Sequence, residues 1–291
     1  MSMNGKPAWR PALSFGVALA FCGIVAGPVS AATLEFHALT SGDVASGALH
    51  TNLTNRGDDQ IIDGTRTVAQ ANAHTEVSAN DASSAARAGG ESHYGNLAGT
   101  AFAQSDLGTL GTFAKASASF SAAFSDVLTI ESTTLAAGTP VVVRLGGFGH
   151  FFAQSANNPG STGTFDVNYA TDQASIHLQQ NIPPVVLEYA DTDYMNYATQ
   201  VGGQIPIAGS LDVLANAFSD GGAGNATNLM NIDASSTALF SVDVLTADAS
   251  YSAESGATYL ASLPAVPIPP AFPLMASALA ALGLLRRKRA A

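Results

Sequence analysis

The residues best suited to ligand chemistry lie between Tyr189 and Tyr197, where Asp191, Asp193, Tyr194 and Tyr197 place two carboxylates beside two phenol rings. Aspartates can give oxygen ligands to Ca2+, which accepts carboxylates and carbonyls in flexible geometry, and tyrosine offers a large ring with a polar tip. The stretch therefore predicts a loop that binds polysaccharide or, weakly, calcium; it lacks the central Gly and the later bidentate Glu of a full calcium loop. Asp58, Asp59 and Asp63 form a second acidic segment of the same kind, and for both the plainer reading is a solvated turn. The six histidines, His37, His50, His74, His93, His150 and His177, stand singly, with no i,i+2 or i,i+4 pair to share a zinc ion. His150, inside Gly146-Gly147-Phe148-Gly149-His150-Phe151-Phe152, fits either a ligand-contacting rim or a strand that packs aromatics into the core.

Catalysis has less to stand on. Nucleophilic hydrolysis needs a Ser or Cys with a positioned base, and no G-x-S-x-G elbow is present. Two carboxylates could run glycoside hydrolysis, but spacing alone singles out no pair among 22. The expectation is a non-enzyme without an obligatory cofactor. Trp9, the single tryptophan, falls within a stretch that reads as a cleaved signal peptide, which leaves the body short of rings for a typical aromatic sugar-binding face.

These residues must be held by strands. From Phe113 to Ile130 the even positions are Ala114, Ala116, Ala118, Phe120, Ala122, Phe124, Asp126, Leu128 and Ile130, while Lys115, Ser117, Ser119, Ser121, Ser125 and Thr129 fall between them. Apolar residues recurring every second position mark a strand with one buried face, despite the helix preference of alanine. Asp126 breaks that face and predicts a bulge, or a turn between two strands. The same period recurs over Ile205–Ala217 and Thr237–Thr246 and, more briefly, over Leu34–Leu39, Val141–Leu145, Phe165–Tyr169, Ile176–Leu178 and Val185–Tyr189. Gly, Asn, Ser and Pro clusters at Asn157–Gly163 and Ser219–Asn225 read as turns, and Asn80–Asn96, rich in Ser, Ala and Gly, as a long mobile loop. No convincing amphipathic helix competes. The pattern predicts an all-β fold, a single jelly-roll-like β-sandwich over residues 32–263, with two smaller β domains as the second choice.

The two ends differ from this body. Lys6 and Arg10 precede an apolar run, Ala12–Ala26, and the small residues Val29 and Ala31 suit a signal-peptidase site, so residues 1–31 read as a secretory signal peptide. Phe21 before Cys22 excludes lipoprotein processing, which needs a small residue there. At the other end a proline-broken lead-in from Pro264 gives way to an apolar run, 271–285, and then to Arg286, Arg287, Lys288 and Arg289. That order reads as spacer, transmembrane helix and cytoplasmic stop. Fifteen residues at about 1.5 Å each span only ~22 Å of a hydrocarbon core of roughly 30 Å, which suits an address that is read and removed better than a permanent anchor. Between the ends the body carries all 22 acidic residues but only Arg56, Arg66, Arg87, Lys115 and Arg144 among the bases, a formal charge of −17, and no cysteine. Such a field disfavours nucleic acid and anionic membrane surfaces.

Val266, Pro267, Ile268 and Pro269, followed by the short apolar run and the Arg cluster, resemble the C-terminal sorting signal of the PEP-CTERM class in its VPLPA variant. Ile268 stands where that pattern has Leu, and Pro270 precedes Ala271 where the pattern places Ala directly. The resemblance covers about a tenth of the chain, residues 264–291. It implies recognition by a membrane-embedded protease of the exosortase type and export by a Gram-negative bacterium. The precursor would be tethered to the inner membrane, and the product delivered to the cell surface or to an extracellular matrix associated with exopolysaccharide. The β-rich body is also similar to the bodies that commonly precede this signal.

Overall fold

The computed structural model describes residues 32–46, 49–56, 60–63, 69–79, 82–108, 111–155, 160–220 and 227–263. The expected signal peptide, with Val29 and Ala31, the expected sorting tail, with Val266–Pro269 and Arg286–Arg289, and Asp58 and Asp59 lie outside the described residues. Among the described residues the regular structure is all strand: β1 (Thr33–Ser46), β2 (Leu49–Arg56), β3 (Gln60–Asp63), β4 (Ala69–Ala79), β5 (Ala82–His93), β6 (Asn96–Asp106), β7 (Gly111–Glu131), β8 (Pro140–Ser155), β9 (Ser161–Thr171), β10 (Ser175–Ile182), β11 (Leu187–Gln200), β12 (Gln204–Asp220), β13 (Thr227–Val244) and β14 (Ser250–Ala253). No helix there is long and apolar enough to cross a membrane.

The strands form two antiparallel sheets. One, the β7 sheet, is ordered β10-β9-β12-β7-β1-β2, with β3 beside the start of β1 and β14 beside the end of β7; the other, the β8 sheet, is ordered β11-β8-β13-β6-β5-β4. Their inner faces share one hydrophobic core that runs from Ala32 to Tyr259. The alternation dictates this packing directly. Ala114, Ala116, Ala118, Phe120, Ala122, Phe124, Leu128 and Ile130 of β7 are all buried, as the period requires of a strand with one face inward. Where the inner residues are small the partner fills the gap: a Cβ on Gly99 of β6 would collide with the Phe120 ring.

Three expectations need correction. The stretch 80–96 is not a long loop, because Ala82–His93 is β5, paired throughout with β4 and β6. Ser, Ala and Gly have low strand propensity, but Ala82, Ser84, Ala86 and Ala88 alternate inward, and two neighbouring strands overrule propensity. Residues 191–196 are likewise not a loop but the middle of β11, an edge strand paired with β8 along its whole length. Asp126 marks neither a bulge nor a turn. β7 continues through it in register with β12, and its side chain is buried.

A strap formed by residues 250–263 closes one end of the two sheets. It pairs with the end of β7 as β14, crosses the core end, and bridges Ser241 of β13 through Leu260, on the side that β6 leaves free. Tyr259 is buried on the way, its ring 6.2 Å from that of Phe124 and 5.8 Å from that of Phe240. Leu263, the last described residue, lies over Gly146 on the outer face of the β8 sheet, where an added Cβ would meet it at 2.9 Å.

Candidate functional site

Three polar groupings stand out from the Ser- and Ala-rich background. The first is Asp126. Its carboxylate accepts from the Val127 and Ser255 amides at 2.8 and 3.1 Å, from the Tyr259 hydroxyl at 2.6 Å and from the Ser255 hydroxyl. Burial, with the Asp126 charge added, pushes the Tyr259 phenol far up, so it stays a neutral donor. The Asp126 side chain is buried and fully engaged by donors. It is a clasp that fixes the strap.

The second grouping is a row on the outer face of the β7 sheet. Register places His37 of β1, Ser121 of β7, Asp212 of β12 and Asp166 of β9 side by side. The Asp166 carboxylate accepts from His177 Nε2 at 2.9 Å when the histidine carries its proton there. Burial raises the Asp212 carboxyl, the Asp166 charge adds to it, and Ser121 and His37 oppose it. Two carboxylates directly opposite each other are what acid–base chemistry would use. This pair lies along the outer face of a single sheet, not across a cleft that could hold a substrate between the groups.

The third grouping contains the residues singled out from the sequence, and the structure separates them. Tyr197 points inward, buried, and donates to Asp172 at 2.7 Å; burial and then Asp172 push its phenol up to about 12. Tyr189 packs on Phe151, with ring centroids 5.4 Å apart, and donates to Asp191 at 3.1 Å; its phenol too is pushed up to about 12, by burial first. Asp191 and Asp193 are exposed at the sheet edge, and each spends one oxygen on the next backbone amide, that of Thr192 and that of Tyr194. Among the described residues no group of three or more His, Cys, Asp or Glu could hold a metal ion.

Tyr194 faces the other way, outward, and is half exposed. Period two explains the split: Tyr189, Met195 and Tyr197 share one side of β11, and Tyr194 takes the opposite side. There it meets groups that the spacing did not connect to it. The Arg144 guanidinium lies 5.5 Å from the centre of its ring and donates to Asp243 at 2.6 Å. Further along β8, Phe148 and His150 stand parallel with centroids 6.5 Å apart, His150 lies 3.3 Å from Glu188, and Phe152 is 41% exposed. His150 is thus on a surface, while Phe151, one residue on, carries the core role. The available signal was the alternation through Arg144, Gly146, Phe148, His150 and Phe152, obscured because glycines and aromatics occupy both faces.

Comparison with protein-family models, with curated proteins and with solved structures finds no match.

Proposed function

We propose that this chain is a secreted structural protein of a bacterial surface or extracellular matrix, sorted through its C-terminal signal by an exosortase-type membrane protease and associated there with exopolysaccharide. The observation that carries the reading is the order Val266-Pro267-Ile268-Pro269, apolar run, Arg286–Arg289, which resembles the VPLPA variant of the PEP-CTERM signal. We also propose that the sandwich is jelly-roll-like, on the support that seven of the eight connections from β6 to β14 pass from one sheet to the other. A structural rather than catalytic role is supported by the placement of Asp166 and Asp212 along one sheet face rather than across a cleft, and by the structural use of Asp126.

The test is made in the native host. Replacing Arg286, Arg287, Lys288 and Arg289 together by serine, or Pro267 and Pro269 by alanine, is expected to leave unprocessed protein in the inner membrane and to empty the surface fraction. Unchanged surface delivery of both variants would overturn the sorting reading.

A further inference from the structure

The outer face of the β8 sheet differs from a solvated face in both ring content and charge. Register puts Phe152 directly between Glu188 of β11 and Asp233 of β13. Side chains directly opposite on neighbouring strands have Cβ atoms about 5 Å apart, so the half-exposed ring is flanked on both sides by exposed carboxylates. On the outward positions of β8, β11 and β13 the acidic groups are Glu188, Asp233 and Asp243, whereas Arg144 is the only Lys or Arg. Arg144 is already engaged by Asp243 and the Tyr194 ring. Of the other two, Glu188 lies 3.3 Å from the His150 ring and Asp233 accepts from the Ser235 amide at 3.0 Å, and no Lys or Arg of these strands pairs with either. A large ring on such a surface is itself a cation-attracting group, since the face of an aromatic ring is its negative pole.

We propose that this face binds a polysaccharide that carries positive charge, an amino-sugar polymer with free amines. The apolar faces of its sugar rings would stack on Phe152 and Tyr194, and its ammonium groups would lie against Glu188 and Asp233. Charge complementarity selects this occupant: a neutral glucan leaves the carboxylates unused, and a second copy of this body, itself −17, is repelled. A peptide strand added by backbone pairing does not fit on β8, because β11 and β13 already occupy both its edges. The open, flat setting suits a polymer laid along the sheet rather than a small ligand held in a pocket. The proposal deepens the exopolysaccharide-associated reading by naming the polymer class. Its test uses purified protein, so its failure and a failure of sorting in the host are told apart.

The experiment is co-sedimentation of the full chain, held in nonionic detergent, with partly deacetylated poly-N-acetylglucosamine, fully acetylated poly-N-acetylglucosamine and cellulose. Retention is expected on the first alone. It should weaken with salt, as exposed charge pairs do, and fall about tenfold in Phe152→Ala, in line with the worth of a cation–ring contact. Glu188→Gln and Asp233→Asn, which remove charge without volume, should each weaken it a few fold, and they keep the test valid if Phe152→Ala fails to fold by circular dichroism. Equal retention on all three polymers, or full retention by a folded Phe152→Ala or by the double carboxylate variant, would overturn the proposal. So would a change in oligomeric mass on Phe152→Ala with retention intact, since the face would then be an interface between copies.

Discussion

The outer faces of the two sheets are built under the same constraint and put to different use. Each strand must turn its apolar side chains inward, and both sheets obey, so the inner faces are equivalent halves of one core. Outward positions carry no such requirement. On the central strand of the β7 sheet they are largely small and polar, Ser117, Ser119, Ser121 and Ser125, with the Asp166–Asp212 pair beside them on β9 and β12. On the β8 sheet they are Arg144, Tyr194, His150 and Phe152, and the strap delivers Leu263 to the same side. Alternation therefore explains the fold, while the residues it leaves free distinguish a solvated face from a working one.

The most severe way to break this difference is to release the strap. Asp126→Ala leaves the Ser255 hydroxyl and amide and the Tyr259 hydroxyl without their buried acceptor, and is expected to lower unfolding stability by about 3 kcal/mol or more in a urea titration. The adjacent glycines of β8 test the two sides of one sheet against each other. A Cβ on Gly147 would meet the Tyr169 ring at 2.6 Å inside the core, so Gly147→Ala should cost roughly 2 kcal/mol by overpacking. On Gly146 it would meet the Ser241 hydroxyl at 2.5 Å, the Tyr194 ring at 2.8 Å and the Leu263 tip at 2.9 Å, outward side-chain ends that can rotate away rather than a ring locked in the core. Gly146→Ala should therefore cost well under half as much in the same titration.

The charged features give smaller effects of opposite sign. Asp212 has a folded pKa above its unfolded value of 3.8, so ionising it opposes folding. That penalty is absent below the unfolded value, grows as pH rises between the unfolded and folded values, and is complete above them. Asp212→Asn should consequently match the parent in acid and exceed it by roughly 0.2–1 kcal/mol at neutral pH, the range for like charges directly opposite in a sheet. Parallel thermal melts at acid and neutral pH read the crossover. Arg144→Ala should be the mildest, costing at most about 1 kcal/mol, because both Arg144 and Asp243 are partly exposed and solvent screens the pair. A loss above that in the same melts would mean that Arg144 organises the β8 face more tightly than its contacts indicate.

How far the sequence revealed this molecule depended on residue size. Where inner positions were Phe, Leu, Ile and Val, as in β12 and the end of β13, alternation located the strands. Where they were Ala, Ser and Gly, as in β5, the same period carried almost no hydropathy contrast, and only pairing with β4 and β6 makes the strand visible. Asp126 illustrates a deeper limit. Its donors, Ser255 and Tyr259, lie 129 and 133 residues away, so no local pattern could tell a buried clasp from a strand break. At the candidate site the stretch around Tyr194 was legible as a concentration of phenols and carboxylates, but its assignment to opposite sides of a strand was not. Reading Asp191–Asn196 as a loop removed the period that separates Tyr194 from Tyr197. Glu188, Phe152 and Asp233 meet only through the register of three strands distant in sequence.

The central proposal is that the segment from Pro264 to Ala291 is an address rather than an anchor. It is tested most directly by the intact mass and C-terminal peptide of the protein recovered from the surface and medium of its native host. A chain ending between Pro264 and Ala271 is the predicted result. Peptides reaching Arg289 in the surface-exposed protein would contradict it and make the tail a retained anchor.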